Sequence, residues 1–263
     1  MHLLGIVVDQ DVDGDVSGTI AITPHLLGAD GSPRLAVVAM LVDALGGLRS
    51  ITAAAPDWAF TADLSIHLTG SVPTTTLRAD LHVRRRGRRT LVIEVDLVGD
   101  AGRSAGRAIL TFAVVPRPEH LAGLDVRVEP GRRRMGETDE ILDVEWLIEV
   151  APTVVRPGTV VLESRREVQN TVGALHGAMH AALVDEASVT LGRSLLGGPC
   201  AVVDLQLAYL DLALSSPLTA TAEPVGRPSV GDRSFAAVVE LRDAEGRLCS
   251  HSTVRVHRVG TDD

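Results

Sequence analysis

Asn170, His176, Gly177 and Asp185 stand in a stretch that is otherwise small and apolar, NTVGALHGAMHAALVDEAS at residues 170–188. Leu175, Met179, Ala182, Leu183 and Ala187 recur with a helical period, which predicts a helix opening near His176. The first turn of a helix leaves backbone N–H groups unpaired and carries the positive end of the dipole. It therefore suits an oxygen on which negative charge develops. A glycine there has no Cβ to block a reactant. A carboxylate supplies the complementary function, as general base or as nucleophile. These two groups cannot serve one atom from the same helix, because eight residues separate them by about 12 Å along the axis. An acid on a second, antiparallel helix would meet the glycine instead.

The elements that position such a pair occur twice. A helix-like run at 34–51 precedes strand-like segments at 60–70, 75–86, 89–99 and 104–115. A second helix-like run at 175–195 precedes strand-like segments at 201–214, 218–228, 233–246 and 247–259. Each helix follows a strand candidate, at 17–23 and at 158–164. The repeat is in register: Leu41-Val42-Asp43 matches Leu183-Val184-Asp185, and Ala62-Asp63-Leu64 matches Val203-Asp204-Leu205. Between the copies, residues 116–140 are rich in Pro, Gly and charge and read as a connector. The expected organisation is an N-terminal half at 1–118, a connector at 119–139 and a C-terminal half at 140–263. One helix covers only one face of its sheet, so the halves should bury surface against each other. Duplication then turns what would be a homodimer interface into an intrachain one.

Composition narrows the chemistry. With 263 residues, 45% hydrophobic and a mean hydropathy of +0.21, the chain has material for substantial cores. A net charge of −9 disfavours bulk nucleic-acid binding. All 25 basic residues are arginine, which removes Schiff-base lysines, lysine-dependent phosphate loops and Tyr-Lys oxidoreductase pairs. Cys200 and Cys249 make neither a disulfide framework nor a zinc cluster, so no metal is expected. The N-terminus lacks a basic leader, and no stretch approaches the roughly 20 uncharged apolar residues of a membrane span. A cytoplasmic location is the expectation.

The duplicated order, with Asn-x5-His-Gly-x7-Asp at the head of a helix, resembles the hotdog-fold acyl-CoA thioesterases of the PaaI-like branch, in a double-hotdog version. The resemblance covers both halves, while the motif is complete only in the second. Ala178 stands where the family often has a second glycine. The implied fold is α+β, a tandem hotdog in which each half is a long helix wrapped by an antiparallel sheet. The implied activity is hydrolysis of an acyl-CoA or acyl-carrier thioester, with no cofactor beyond the coenzyme A of the substrate. In that family each site is shared across two hotdog units, base on one and glycine on the other.

Carried onto this chain, the first half places Gly28, Arg34 and Leu35 opposite Asn170, His176 and Gly177, but keeps Asp43. A family Ser or Thr that positions water falls at Thr61 in the first half and at Val202 in the second. The losses are complementary. One composite site is expected from Asp43 as base or nucleophile, Thr61 as water-positioner, Gly177 as oxyanion donor, and Asn170 and His176 as orienting groups. The mirror site at Asp185 should be dead or reduced. Asn170 also fits a capping role alone, and His180 a satisfied core histidine. Arg84, Arg85, Arg86, Arg88 and Arg89, in an apparent hairpin turn, are candidates for the coenzyme A phosphates; a solvated charge run is the plainer account. With three Phe, two Trp and one Tyr, the acyl pocket is expected to be lined by Ala, Val and Leu. The competing functional reading is a non-catalytic acyl-thioester-binding or regulatory hotdog protein. A hotdog hydratase ranks lower, because its signature is not found. Association of such chains into a homo-oligomer is compatible with either.

Overall fold

The computed structural model describes residues 5–70, 72–119, 123, 130–135, 152–170, 172–229 and 231–260. Most of the expected connector therefore lies outside the described residues. The elements in chain order are β1 (Val7–Gln10), β2 (Val16–Ala21), α1 (Leu35–Ala54), β3 (Trp58–Leu68), β4 (Thr76–Arg86), β5 (Thr90–Val98), β6 (Ser104–Val115), β7 (Gly131–Arg134), β8 (Thr153–Arg156), β9 (Thr159–Leu162), α2 (Gly177–Leu196), β10 (Cys200–Tyr209), β11 (Leu218–Pro224), β12 (Ser234–Arg242) and β13 (Leu248–Arg258). Both helices and eight of the strands after them stand where the hydrophobic periods put them. The short strands β1, β7 and β8 were not expected. β7 falls inside the presumed connector and pairs with β1, Val8 opposite Arg133.

The described strands form one antiparallel sheet, in the order β7-β1-β2-β4-β5-β6-β3-β10-β13-β12-β11-β9-β8. The halves join where β3 pairs with β10, Ser65 opposite Gln206. Both strands bulge at matching places, between Thr61 and Asp63 and between Val202 and Asp204. The strands are therefore related by an offset of 141 residues and the helices by 142, and Ser65 and Gln206 lie on the local two-fold. Alternation along β5 buries Leu91, Ile93, Val95 and Leu97 on one face, the face the helices cover.

α1 and α2 pack against each other and against the sheet. Contrary to the reading of the sequence, α1 is long and apolar enough to cross a membrane by length and composition, although it carries Asp43 and Arg49. Leu35, Val38, Leu41, Val42 and Leu45 are instead buried between sheet and partner helix, which explains apolar residues on more than one face. α1 stops at the Ala55-Pro56 pair, where a ring cannot continue the ladder. Arg86 donates to the last carbonyls, Ala53 O at 3.1 Å and Ala54 O at 3.2 Å. α2 ends at Gly197, whose φ of 69° suits glycine.

Candidate active site

Antiparallel packing sets the ninth residue of each helix against the head of the other. Asp43 of α1, 6% exposed, meets the first turn of α2. Its Oδ2 accepts from Ala178 N–H at 3.0 Å and lies 3.1 Å from His176 Nδ1. Ala178 N and His176 Nδ1 are also 3.2 Å apart. An unprotonated Nδ1 would set its lone pair against that of the carboxylate. We therefore assign a proton to Nδ1, directed at Asp43, and the Ala178 N–H to the carboxylate. A Cβ at position 177 would stand 2.8 Å from Asp43 Oδ2 and 3.1 Å from Oδ1. Glycine is what admits the acid of the facing helix.

The Gly177 N–H has no acceptor among the described residues, and Gly177 lines a cavity of about 470 Å³. Asp43, Thr61, Asn170 and His176 line the same cavity, so the five residues singled out in the sequence converge there. Thr61 arrives through the β3 bulge. Asn170 Oδ1 accepts from Val172 N–H at 3.0 Å and from Ala174 N–H at 3.1 Å. Its carboxamide oxygen thus ties down the loop entering α2, leaving the amide side for the cavity.

The head of α1 repeats this loop with different side chains. Gly28 N–H donates to Ser32 O at 2.7 Å, as Asn170 N–H does to Ala174 O at 2.8 Å. At the position of His176 stands Arg34, whose Nε and Nη2 donate to Asp185 Oδ2 at 3.1 and 3.0 Å. Nη2 also reaches Glu186 Oε2 at 2.7 Å. The Asp185 charge, with support from Glu186, raises the Arg34 pKa. Burial pushes the Asp185 carboxyl up against the opposing Arg34 charge. Only about 90 Å³ remains at this mirror position.

The intact cavity also gathers residues that the sequence did not single out for it. Ala59, Val172, Ala174, Leu175 and Leu212 line it as expected, but Trp58, Phe60 and Tyr209, half of the aromatic residues in the chain, stand among them. Composition counts side chains, and only the fold gathers them. His180 is a satisfied core histidine, with Nδ1 3.0 Å from Ser250 Oγ, and also part of the cavity wall. Burial lowers its pKa to about 4, opposed by the Asp43 charge, so the ring is neutral near pH 7. Its ring meets Tyr209 edge-on, 5.2 Å between centroids. The Tyr209 hydroxyl donates to Gly177 O at 3.0 Å, and burial raises its pKa. No spacing rule in the sequence pointed to Tyr209.

The arginine hairpin divides. Arg84 pairs with Glu94 at 2.9 Å, and Arg86 is held by the end of α1. Arg85, Arg88 and Arg89 surround a surface depression of about 390 Å³, separate from the cavity. In β7, Arg132 faces Asp9 at 3.4 Å and Arg133 donates to Gln10 at 2.9 Å.

Comparison with known proteins matches residues 172–250 to the family described as Thioesterase superfamily, the segment that holds α2 and most of its sheet. No curated protein matches the chain. Among solved structures, it is similar to an acyl-ACP thioesterase from Bacteroides thetaiotaomicron at 13% identity and TM-score 0.60, covering 92% of this chain and 97% of that one. It is similar to the 12:0-ACP thioesterase from Umbellularia californica at 11% identity and TM-score 0.60, covering 90% and 95%. A protein with a hotdog fold from Alicyclobacillus acidocaldarius aligns at 15% identity and TM-score 0.54, covering 93% and 94%. At such identities the likeness speaks for the fold, and it runs over nearly the whole of each chain. The resemblance read from the sequence therefore holds at the level of the fold: the chain has the hotdog fold, and its residues 172–250 match the thioesterase superfamily.

Proposed function

We propose that this protein is a tandem hotdog, with halves at 1–118 and 140–263, that hydrolyses an acyl-CoA or acyl-carrier thioester at one composite site. The observation that supports this reading is the Asp43 carboxylate of one half lodged against the glycine head of the other half's helix, beside a cavity large enough for an acyl group. Water held between Asp43 and Thr61 attacks the thioester carbon as Asp43 takes its proton. Charge on the carbonyl oxygen is met by the Gly177 N–H and the α2 dipole. The C–S bond breaks, the thiolate takes the proton from Asp43, and an acid and a thiol leave. Direct attack by Asp43, giving an anhydride that water opens, uses the same atoms. His176 keeps the carboxylate oriented through Nδ1, and the Asn170 amide faces the substrate. Of the hairpin arginines, Arg85, Arg88 and Arg89 have no ion-pair partner among the described residues and are the ones to meet coenzyme A phosphates, since Arg84 and Arg86 have partners within the chain.

Turnover of a panel of acyl-CoA substrates tests the reading. Asp43→Asn should lower kcat by about 10²–10⁴-fold, the usual cost of removing such a base. Asp185→Asn should leave kcat within a few-fold. The reverse ranking would sink the composite site, and tight binding without turnover would establish the regulatory alternative.

A further inference from the structure

The local two-fold supplies an internal control for the intact site. His180, Tyr209 and Ser250 form a connected polar group behind the head of α2. The helix offset places Val38 at the position of His180. The strand offset places Leu68 at that of Tyr209, and the ladder pairs Leu68 with Gly106 as it pairs Tyr209 with Ser250. All three counterparts are apolar, on the side that Arg34 closes. The polar group exists only where Asp43 meets Gly177.

We propose that Tyr209 is a positioning residue for the reaction, held in place by His180 and Ser250; this rests on the thioesterase reading above. The Gly177 carbonyl that accepts from Tyr209 and the Ala178 N–H that donates to Asp43 belong to one peptide unit. A hydrogen bond to the oxygen of an amide fixes the plane and strengthens the N–H as donor. Tyr209 therefore aims Asp43 at the substrate through this peptide unit, its ring forming part of the cavity wall, and its hydroxyl bond holds the Gly177 Cα against the carboxylate. Edge-on contact with His180 sets the tyrosine ring, and Ser250 sets His180. The titratable groups around Asp43 are then His176 in front, and His180 and Tyr209 behind.

Tyr209→Phe keeps the ring and removes the hydroxyl. We expect kcat on the best acyl-CoA of the panel to fall about 10-fold, roughly one lost hydrogen bond felt in the transition state. KM should stay within about twofold and the protein folded. Ser250→Ala should lower kcat less, in the same direction. Amide NMR gives a readout that needs no turnover: the Ala178 proton should move upfield and exchange faster in Tyr209→Phe. Unchanged kcat or an unmoved Ala178 amide in a folded Tyr209→Phe protein would overturn the proposal. So would activity lost only in proportion to unfolded protein. A wild type that hydrolyses no thioester would overturn the functional reading, and the Ala178 amide would still decide the placement of Tyr209.

Discussion

At position 177 the side chain of one residue is set by the acid of another 134 positions away. Any Cβ there would be 2.8 Å from Asp43 Oδ2, closer than carbon and oxygen sit without displacement. Gly177→Ala should therefore push the carboxylate off the Ala178 N–H and turn it from the substrate. A misplacement of that order costs about 10²-fold in rate, which kcat on acyl-CoA would report. Alanine is also the better helix former by about 1 kcal/mol, so the melting temperature should change little. Activity and stability should thus separate in this variant; a large common loss would mean that the glycine serves packing alone. His-Gly spacing drew attention to this residue in the sequence, but the close approach that requires glycine is a property of two packed helices.

At the level of elements, α2 carries a neutral imidazole inside the core. His180 titrates near pH 4 in the folded protein against an ordinary value of 6.5. Between these values the unfolded chain binds the proton and the folded one does not, so stability rises with pH. The contribution is complete above about pH 6.5 and is lost as pH falls toward 4, on the order of 3 kcal/mol for the fully buried ring. Urea midpoints measured from pH 4.5 to 7.5 should fall on the acid side, and His180→Gln should flatten that limb. A wild-type curve with no acid limb assignable to His180 would contradict its burial as a neutral ring. The same helix was placed in the sequence within two residues, because its apolar period is local. The end of β10 was not: the run 201–214 continues to alternate, yet the strand ends at Tyr209, where Leu210 and Asp211 N–H both turn to Cys249 O. Leu210 and Leu212 then line the cavity, half-exposed at 54% and 44%.

Over the whole molecule, the repeated order of elements gives two equivalent positions, and different side chains fill them. Arg34 occupies the mirror position with its head one-third exposed, while Asp185 beneath it is buried. Arg34→Ala would leave Asp185 without its cation in a dry place. Removing one partner of a fully buried pair costs about 3–5 kcal/mol; with solvent screening of the guanidinium we expect about 1–2 kcal/mol. Thermal melts should show that loss, while turnover at the Asp43 site stays near wild type. A large loss of turnover with intact folding would mean that the mirror position takes part in catalysis.

The sequence by itself determined the duplicated order of elements and the register that equates Asp43 with Asp185. It also determined that an acid meeting the Gly177 head of α2 would have to come from another helix, since eight helical residues already span too far for one atom. These follow from periodicities and distances along the chain. Tertiary structure alone decided that Arg34 seals one site, that Trp58, Phe60 and Tyr209 gather in the other, and that Tyr209 reaches the Gly177 carbonyl. Those contacts join side chains from separate strands and helices, and no local pattern encodes which of them converge.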